Sequence, residues 1–204
     1  MENKGVLFVV SAPAGCGKDT ILNEFFKRTD TAGYAVSATT RAPREGEING
    51  VHYHFLTVDD FKEKINSGEV LEYTEYCGNF YGTLRKSVGD LLEQGKDAVL
   101  KIEVEGAMNI RKKFPEACLV FILPPSLEVL EQRLRGRGTE TEEKIIERTK
   151  QAKTELKFAE NYDYLIVNDD LNEAVEDLLS VFRAEKLKKS RCESLLKSIV
   201  GEKN

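Results

Sequence analysis

The run SAPAGCGKDT at residues 11–20 carries the residue types that hold a phosphate group. Its spacing approximates G-x-x-x-x-G-K-[ST]. In that pattern a glycine-rich turn points its N–H groups at phosphate oxygens, a lysine reaches the terminal phosphates, and a hydroxyl contacts Mg²⁺. Gly17 and Lys18 fit the pattern, whereas Ala12 stands at the first glycine and Asp19 at the hydroxyl. Two further stretches are rich in arginine. TTRAPREGEINGVHYHF holds Arg41 and Arg44 in a loop stiffened by Pro43, and RLRGRGTETEEKIIERT holds Arg133, Arg135, Arg137 and Arg148. Singly, each arginine reads as a surface residue. Together, two guanidinium clusters flanking a phosphate loop make a clamp, because arginine binds phosphate oxygens bidentately. Such equipment suits phosphoryl transfer, which asks a protein for positioned cations and N–H groups rather than covalent chemistry.

These residues need elements to position them. GVLFVV at residues 5–10 is a continuous apolar run, as expected of a parallel strand buried on both faces. The glycine loop follows it directly, and TILNEFFKR then places Ile21, Leu22, Phe25 and Phe26 on one helical face. Strand, loop and helix are the context a phosphate loop requires. AVLKIEV (98–104), CLVFIL (118–123) and YLIV (164–167) are further apolar strands, separated by helical stretches. Asp170 with Glu173 resembles a capping box. The alternation predicts an α/β fold with a central parallel sheet flanked by helices. From Tyr34 to Lys86 the rhythm changes to short alternating strands (HYHFLT, EVLEYTEY, NFYGT) with one helix near Thr57, which reads as an inserted mixed or antiparallel lobe. Residues 134–155 are highly charged and read as a solvated helical hairpin or a lid.

Composition narrows the classes. In 204 residues, 41% are apolar and 32% charged, the balance of a globular protein with a substantial core. No apolar run approaches the ~20 residues of a membrane span, so no membrane partner is expected. Four scattered cysteines without a C-x-x-C pair favour reduced thiols and a cytoplasmic location. A net charge of −5 gives no sign of nucleic-acid binding. His52 and His54 alternate beside Tyr53 and read as strand packing rather than a metal site.

One resemblance spans nearly the whole chain. The order S-A-P-x-G-x-G-K, S-x-T-T-R-x-P-R-x-G-E-x-[ND]-G-x-x-Y-x-F, E-x-x-x-x-x-G-N-x-Y-G-T, R-G-R-G-T-E-T-E-E and V-N-D-D-L resembles the guanylate kinase family from about Gly5 to Glu185. The second of these motifs is long and irregular, hence diagnostic. The resemblance implies one domain over residues 1–204. Its phosphate-loop kinase core would comprise about 1–34, 87–125 and 156–204, with a GMP-binding lobe at about 35–86 and a helical lid at about 126–155. It implies transfer of the γ-phosphoryl group of Mg²⁺-bound ATP to GMP, by a monomer or homodimer. On the ATP side it places Ala12, Pro13, Ala14, Gly15, Cys16, Gly17, Lys18, Asp19 and Thr20, with Arg133, Arg137 and, beside the adenine, Asn168. On the GMP side, Arg41, Arg44, Tyr53 and Tyr81 would hold the phosphate, and Ser37, Glu72 and Thr83 would read the guanine beside Glu103. Lys18, Arg41, Arg137 and Arg148 would stabilise the transferring group. The resemblance assigns no role to Arg135. A carboxylate at Glu72 suits guanine, whose N1–H and exocyclic amine both donate; adenine offers no such pair, and a buried carboxylate left unmatched is costly. Family members also include non-catalytic peptide-binding modules, which would be expected to lack an intact loop lysine.

Three departures accompany the resemblance. Ala12 is expected to be tolerated, because a methyl group fits any backbone with negative φ. Asp19 either offers Mg²⁺ a carboxylate in place of a hydroxyl, a hard ligand suited to that ion, or repels the β-phosphate where no cation intervenes. Lys101 occupies the strand-end position where phosphate-loop proteins carry an aspartate for Mg²⁺. Asp19 and Lys101 therefore read either as complementary, through an ion pair or an altered Mg²⁺ shell, or as independent substitutions. Cys16, at a helix N-terminus, is either a redox-sensitive thiol or an inert small side chain.

Overall fold

The computed structural model describes residues 5–76, 78–136 and 141–201. From the N-terminus, β1 (Leu7–Ser11) leads through the phosphate loop into α1 (Lys18–Arg28), followed by β2 (Ala32–Tyr34), β3 (Ser37–Thr39) and β4 (His54–Phe55). Next come α2 (Val58–Asn66), β5 (Val70–Tyr76), β6 (Asn79–Leu84), α3 (Arg85–Glu93), β7 (Asp97–Lys101) and α4 (Val104–Lys113). The chain continues with β8 (Cys118–Leu123), α5 (Leu127–Gly136) and α6 (Glu142–Leu156). A 3₁₀ turn (Lys157–Asn161), β9 (Tyr164–Val167), α7 (Leu171–Lys186) and α8 (Lys189–Val200) complete it.

Five strands form a parallel sheet in the order β2-β7-β1-β8-β9, so β1 lies at its centre. Its apolar run explains the position: Phe8 and Val10 enter one core and Val9 the other, all three fully buried. Parallel strands covered on both faces need such runs. The ring of Phe8 stacks on Phe182 of α7 at 3.5 Å, and Phe25 of α1 meets the same ring at 4.5 Å, which packs α1 and α7 on one face. Buried Asp97 accepts from the Val6 amide at 3.0 Å and pairs with Lys186 at 2.8 Å, which ties the sheet to the end of α7. The phosphate loop leaves the carboxyl end of the central strand, where ligands bind in open α/β sheets.

The remaining four strands make a separate mixed sheet, β4-β3-β6-β5, with β3 parallel to β4 and antiparallel to β6. The chain passes from the core sheet to this one between Tyr34 and Ser37. Helix caps follow the local sequence: the side chain of Thr57 accepts from the Asp60 amide at the start of α2, and that of Asp170 from Asn172 and Glu173 at the start of α7. The charged stretch 134–155 is more than a solvated surface. It forms the end of α5 and most of α6, and buries Leu134, Ile145 and Ala152 in the same core as β1. Spacing of apolar residues, rather than their number, decides that outcome. Among the described residues no helix is long and apolar enough to cross a membrane.

Candidate active site

The phosphate loop is shaped by its backbone. Gly15 and Gly17 have φ of 92° and 83°, a left-handed region open to glycine. The Cys16 amide closes a turn on the Pro13 carbonyl at 3.2 Å, and Gly17 supplies the carbonyl for the first helical bond of α1, from Ile21 at 3.0 Å. Asn168, buried just beyond β9, donates to the Cys16 carbonyl at 2.7 Å. A Cβ on Gly17 would lie 2.3 Å from that Asn168 nitrogen, so the glycine is required sterically as well as conformationally. Asn168 thus props the loop from behind, a contact that its expected place beside adenine did not suggest. Ala12 is buried in the core, where its methyl group is absorbed.

Lys18 crosses to the end of β7, donating to the Ile102 carbonyl at 3.2 Å and pairing with Glu103 at 3.5 Å. Asp19 lies in the first turn of α1, where a negative charge meets the positive end of the helix dipole. Its carboxylate accepts from Lys101 at 2.6 Å. Thr20 is exposed on the same helix. Cys16 is fully buried, and burial pushes its thiol up to about 12 against the opposing pull of Arg133 and Lys18. The helix N-terminus does not activate it.

Across the cleft, β5 and β6 set Glu72 opposite Thr83, whose hydroxyl donates to the Glu72 carboxylate at 2.7 Å. Glu72 is 3% exposed; burial raises its pKa, while hydrogen bonds from Thr83 oppose the rise. Gly106 of α4 leaves room for the carboxylate, since a Cβ there would stand 2.6 Å from Glu72 Oε2. Ser37, Tyr53, Glu72, Tyr81, Lys101 and Glu103 line a cavity of about 260 Å³. Arg41 makes a two-pronged contact with Glu47, at 2.8 and 3.0 Å, and its guanidinium lies over the cavity residue Tyr53 at 5.6 Å. Glu47 also accepts from the Arg44 amide at 2.7 Å. These contacts hold Glu47 down to about 2, Arg41 foremost, and raise Arg41 in return. Thr39 fixes the strand end by accepting from the Arg41 amide and donating to the Phe80 carbonyl.

Glu47 was missed as a site residue, although its place in R-x-P-R-x-G-E was the available signal. Arg44 is exposed beside it. Arg133 of α5 keeps Nη1 buried with no hydrogen-bond partner among the described residues. Arg148 is half-buried on α6. Arg135 is engaged by Glu131 at 2.7 Å and by Glu142, which staples α5 to α6. Arg137 lies outside the described residues.

The profile described as "Guanylate kinase" matches residues 4–185, most of the chain. A guanylate kinase of Carboxydothermus hydrogenoformans is 49% identical over 189 residues, covering 93% of each chain. One from Oceanobacillus iheyensis is 40% identical over 202 residues, covering 99% of this chain and 98% of its own. The chain belongs to the guanylate kinase family. The crystal structure of guanylate kinase from Anaplasma phagocytophilum superposes with a TM-score of 0.76 at 33% identity, covering 98% of this chain and 97% of that one. The parallel sheet with its phosphate loop and inserted mixed sheet is therefore the guanylate kinase architecture.

Mg²⁺ can be weighed against the residues present. Among the described residues no group of three acidic, histidine or cysteine side chains could cage a metal. The Asp19 carboxylate, 70% exposed at the phosphate loop, is a hard oxygen ligand of the kind Mg²⁺ takes along with phosphates and water. The fit is to an ion that arrives with a nucleotide.

Proposed function

We propose that this chain transfers the γ-phosphoryl group of ATP to GMP, and also to dGMP, giving ADP and the nucleoside diphosphate. The observation that carries this reading is the buried Glu72 carboxylate, held by Thr83 and given space by Gly106, in a cavity lined by Tyr53 and Tyr81, with Arg41 over the Tyr53 ring. It offers two acceptor oxygens to a base edge with two adjacent donors, which guanine has and adenine lacks. Ser37 and Thr83 supply further polar contacts to the base, and Arg41, Arg44, Tyr53 and Tyr81 take the phosphate.

On the other side the loop N–H groups, Lys18 and Arg133 receive the ATP phosphates. Arg137 and Arg148 complete the lid side of the clamp. Asp19 would hold a Mg²⁺ ion that arrives with the nucleotide, and the ion would supply neutralisation of the phosphate charge. No general base is needed, because the GMP phosphate is already anionic. Lys18 and Arg41 instead hold the two phosphates in line and offset the charge that develops between them. We place this activity in the cytoplasm.

A coupled assay of ADP release, run with Mg·ATP against GMP, dGMP, AMP and UMP, tests the reading. Turnover is expected with GMP and dGMP, with AMP and UMP lower by orders of magnitude. Absence of turnover with GMP would overturn it.

A further inference from the structure

The contact between Asp19 and Lys101 reverses an ordinary arrangement of charge. Phosphate-loop proteins carry a hydroxyl where Asp19 stands and a carboxylate at the end of the neighbouring strand, where Lys101 stands. Here the carboxylate has moved to the loop and a cation occupies the strand. The pair sums to neutral, against about one negative unit for hydroxyl plus carboxylate. The junction between the two nucleotides is thus more positive by about one unit in this chain.

The geometry gives that charge a place to act. Lys101 is the last residue of β7 and pairs in register with Val10 of β1, one residue from the start of the phosphate loop. Its stem is partly buried, 32% of the side chain being exposed, and its ammonium lies 5.6 Å from the centroid of the Tyr34 ring and 2.6 Å from Asp19. The same side chain lines the cavity that holds Glu72, Tyr53 and Tyr81. One cation therefore touches the ATP-side loop and the GMP-side cavity at once.

We propose that Lys101 is a substrate-binding residue shared by the two nucleotide sites, an ammonium that stands between their phosphate chains and is positioned there by Asp19. The inference rests on the phosphotransferase reading above. ATP and GMP are polyanions whose phosphates must approach within bonding distance, and a cation fixed at that junction offsets their repulsion without waiting for a metal. Asp19 keeps the ammonium at the loop while the site is empty and spares an isolated charge.

Titration calorimetry without divalent metal, with GMP and with guanosine, alone and in the presence of ADP, separates this role from a structural one. Lys101→Met, which keeps an apolar stem against Tyr34, is expected to weaken GMP binding about tenfold and to leave guanosine unchanged. It should also deepen the antagonism between ADP and GMP, and Lys101→Arg should restore most of the loss. Lys101→Asp sets two carboxylates together and is expected to cost more than Lys101→Met. Adding Asp19→Ser to it should then regain affinity, a coupling that independent substitutions would not show. Melting curves of the ligand-free variants confirm that each is folded. GMP affinity of Lys101→Met within about twofold of the parent, or strict additivity in the Asp19/Lys101 cycle, overturns the inference while the parent still phosphorylates GMP. A parent that does not turn over GMP removes the reading beneath it as well.

Discussion

The two halves of the cleft are built by different means. The phosphate-loop side relies on backbone: Gly15, Gly17, the helix N-terminus and the Cys16 carbonyl braced by Asn168. The mixed-sheet side relies on side chains held by other side chains: Glu72 by Thr83, Arg41 by Glu47. The difference shows in the sequence. Ala12, Asp19 and Lys101 all depart from the usual pattern around the loop, whereas the GMP motifs are intact. A backbone cradle tolerates changed side chains as long as φ and the close approaches survive. A polar pocket does not, because each altered group strands a buried partner.

The most forceful way to break this contrast is Glu72→Gln. The amide can still accept from Thr83, but it turns an N–H₂ donor toward donors on guanine. We expect kcat/KM for GMP to fall by about 10³-fold or more, with ATP affinity nearly unchanged. The pH dependence follows from the raised pKa of Glu72. GMP affinity should fall on acidification at a higher pH than an ordinary carboxylate near 4.5 would give, as the acceptor is lost to a proton. Stability of the free protein runs the other way. A raised folded-state pKa contributes stability that is full below the unfolded value and is lost as pH rises through the folded one. Glu72→Gln removes both dependences; a parent-like acid limb in its GMP binding curve would exclude Glu72 as the group responsible.

Steric substitutions sharpen the comparison on each side. Gly106→Ala drives a methyl group against the Glu72 carboxylate at 2.6 Å and displaces it. Misplacement of that order lowers kcat/KM for GMP by about 10²-fold and leaves ADP binding intact. Asn168→Ala is the counterpart across the cleft, removing the 2.7 Å bond that braces Cys16. A buried carbonyl left unmatched costs about 1–3 kcal/mol, to be read as a lower melting temperature, with ATP affinity down by about tenfold and guanosine binding unmoved. Equal effects of the two variants on both nucleotides would mean that the halves are not separately built.

Legibility of the sequence divides along the same line. The phosphate loop could be read because glycine and lysine spacing is dictated by backbone geometry. The strands of the core sheet could be read because burial on both faces demands apolar runs. Ala32–Tyr34 and Ser37–Thr39 are strands of three residues, too short to show a period, and they escaped. The stretch 134–155 reads as a solvated hairpin or a lid because charge outnumbers apolar residues there, yet Leu134, Ile145 and Ala152 fall on inward faces. Glu47 went unremarked because its role is to hold another residue. The Asp19–Lys101 contact joins positions 82 residues apart, so only the fold could show that one charge answers the other.

Cys16 carries the smallest expected effect and tests the backbone side of the contrast directly. A thiol among glycines at a helix N-terminus should be acidic if the dipole governed it. Burial governs it instead: the side chain is fully enclosed and its pKa is pushed up to about 12. At about pH 8 only ~10⁻⁴ of such thiols would be ionised, so alkylation of the native protein should pass over Cys16. Cys118, likewise buried with a raised pKa, should also be spared, while the partly exposed Cys192 reacts ahead of both. Mass spectrometry of peptides from native and denatured samples reads the order. Since the loop is shaped by backbone, Cys16→Ala should keep kcat/KM for GMP within about twofold, its cost being the sulfur's packing, of order 1 kcal/mol in stability. Rapid native labelling at Cys16, blocked by ATP, would show instead that the thiol faces the nucleotide and that the cradle is not made of backbone alone.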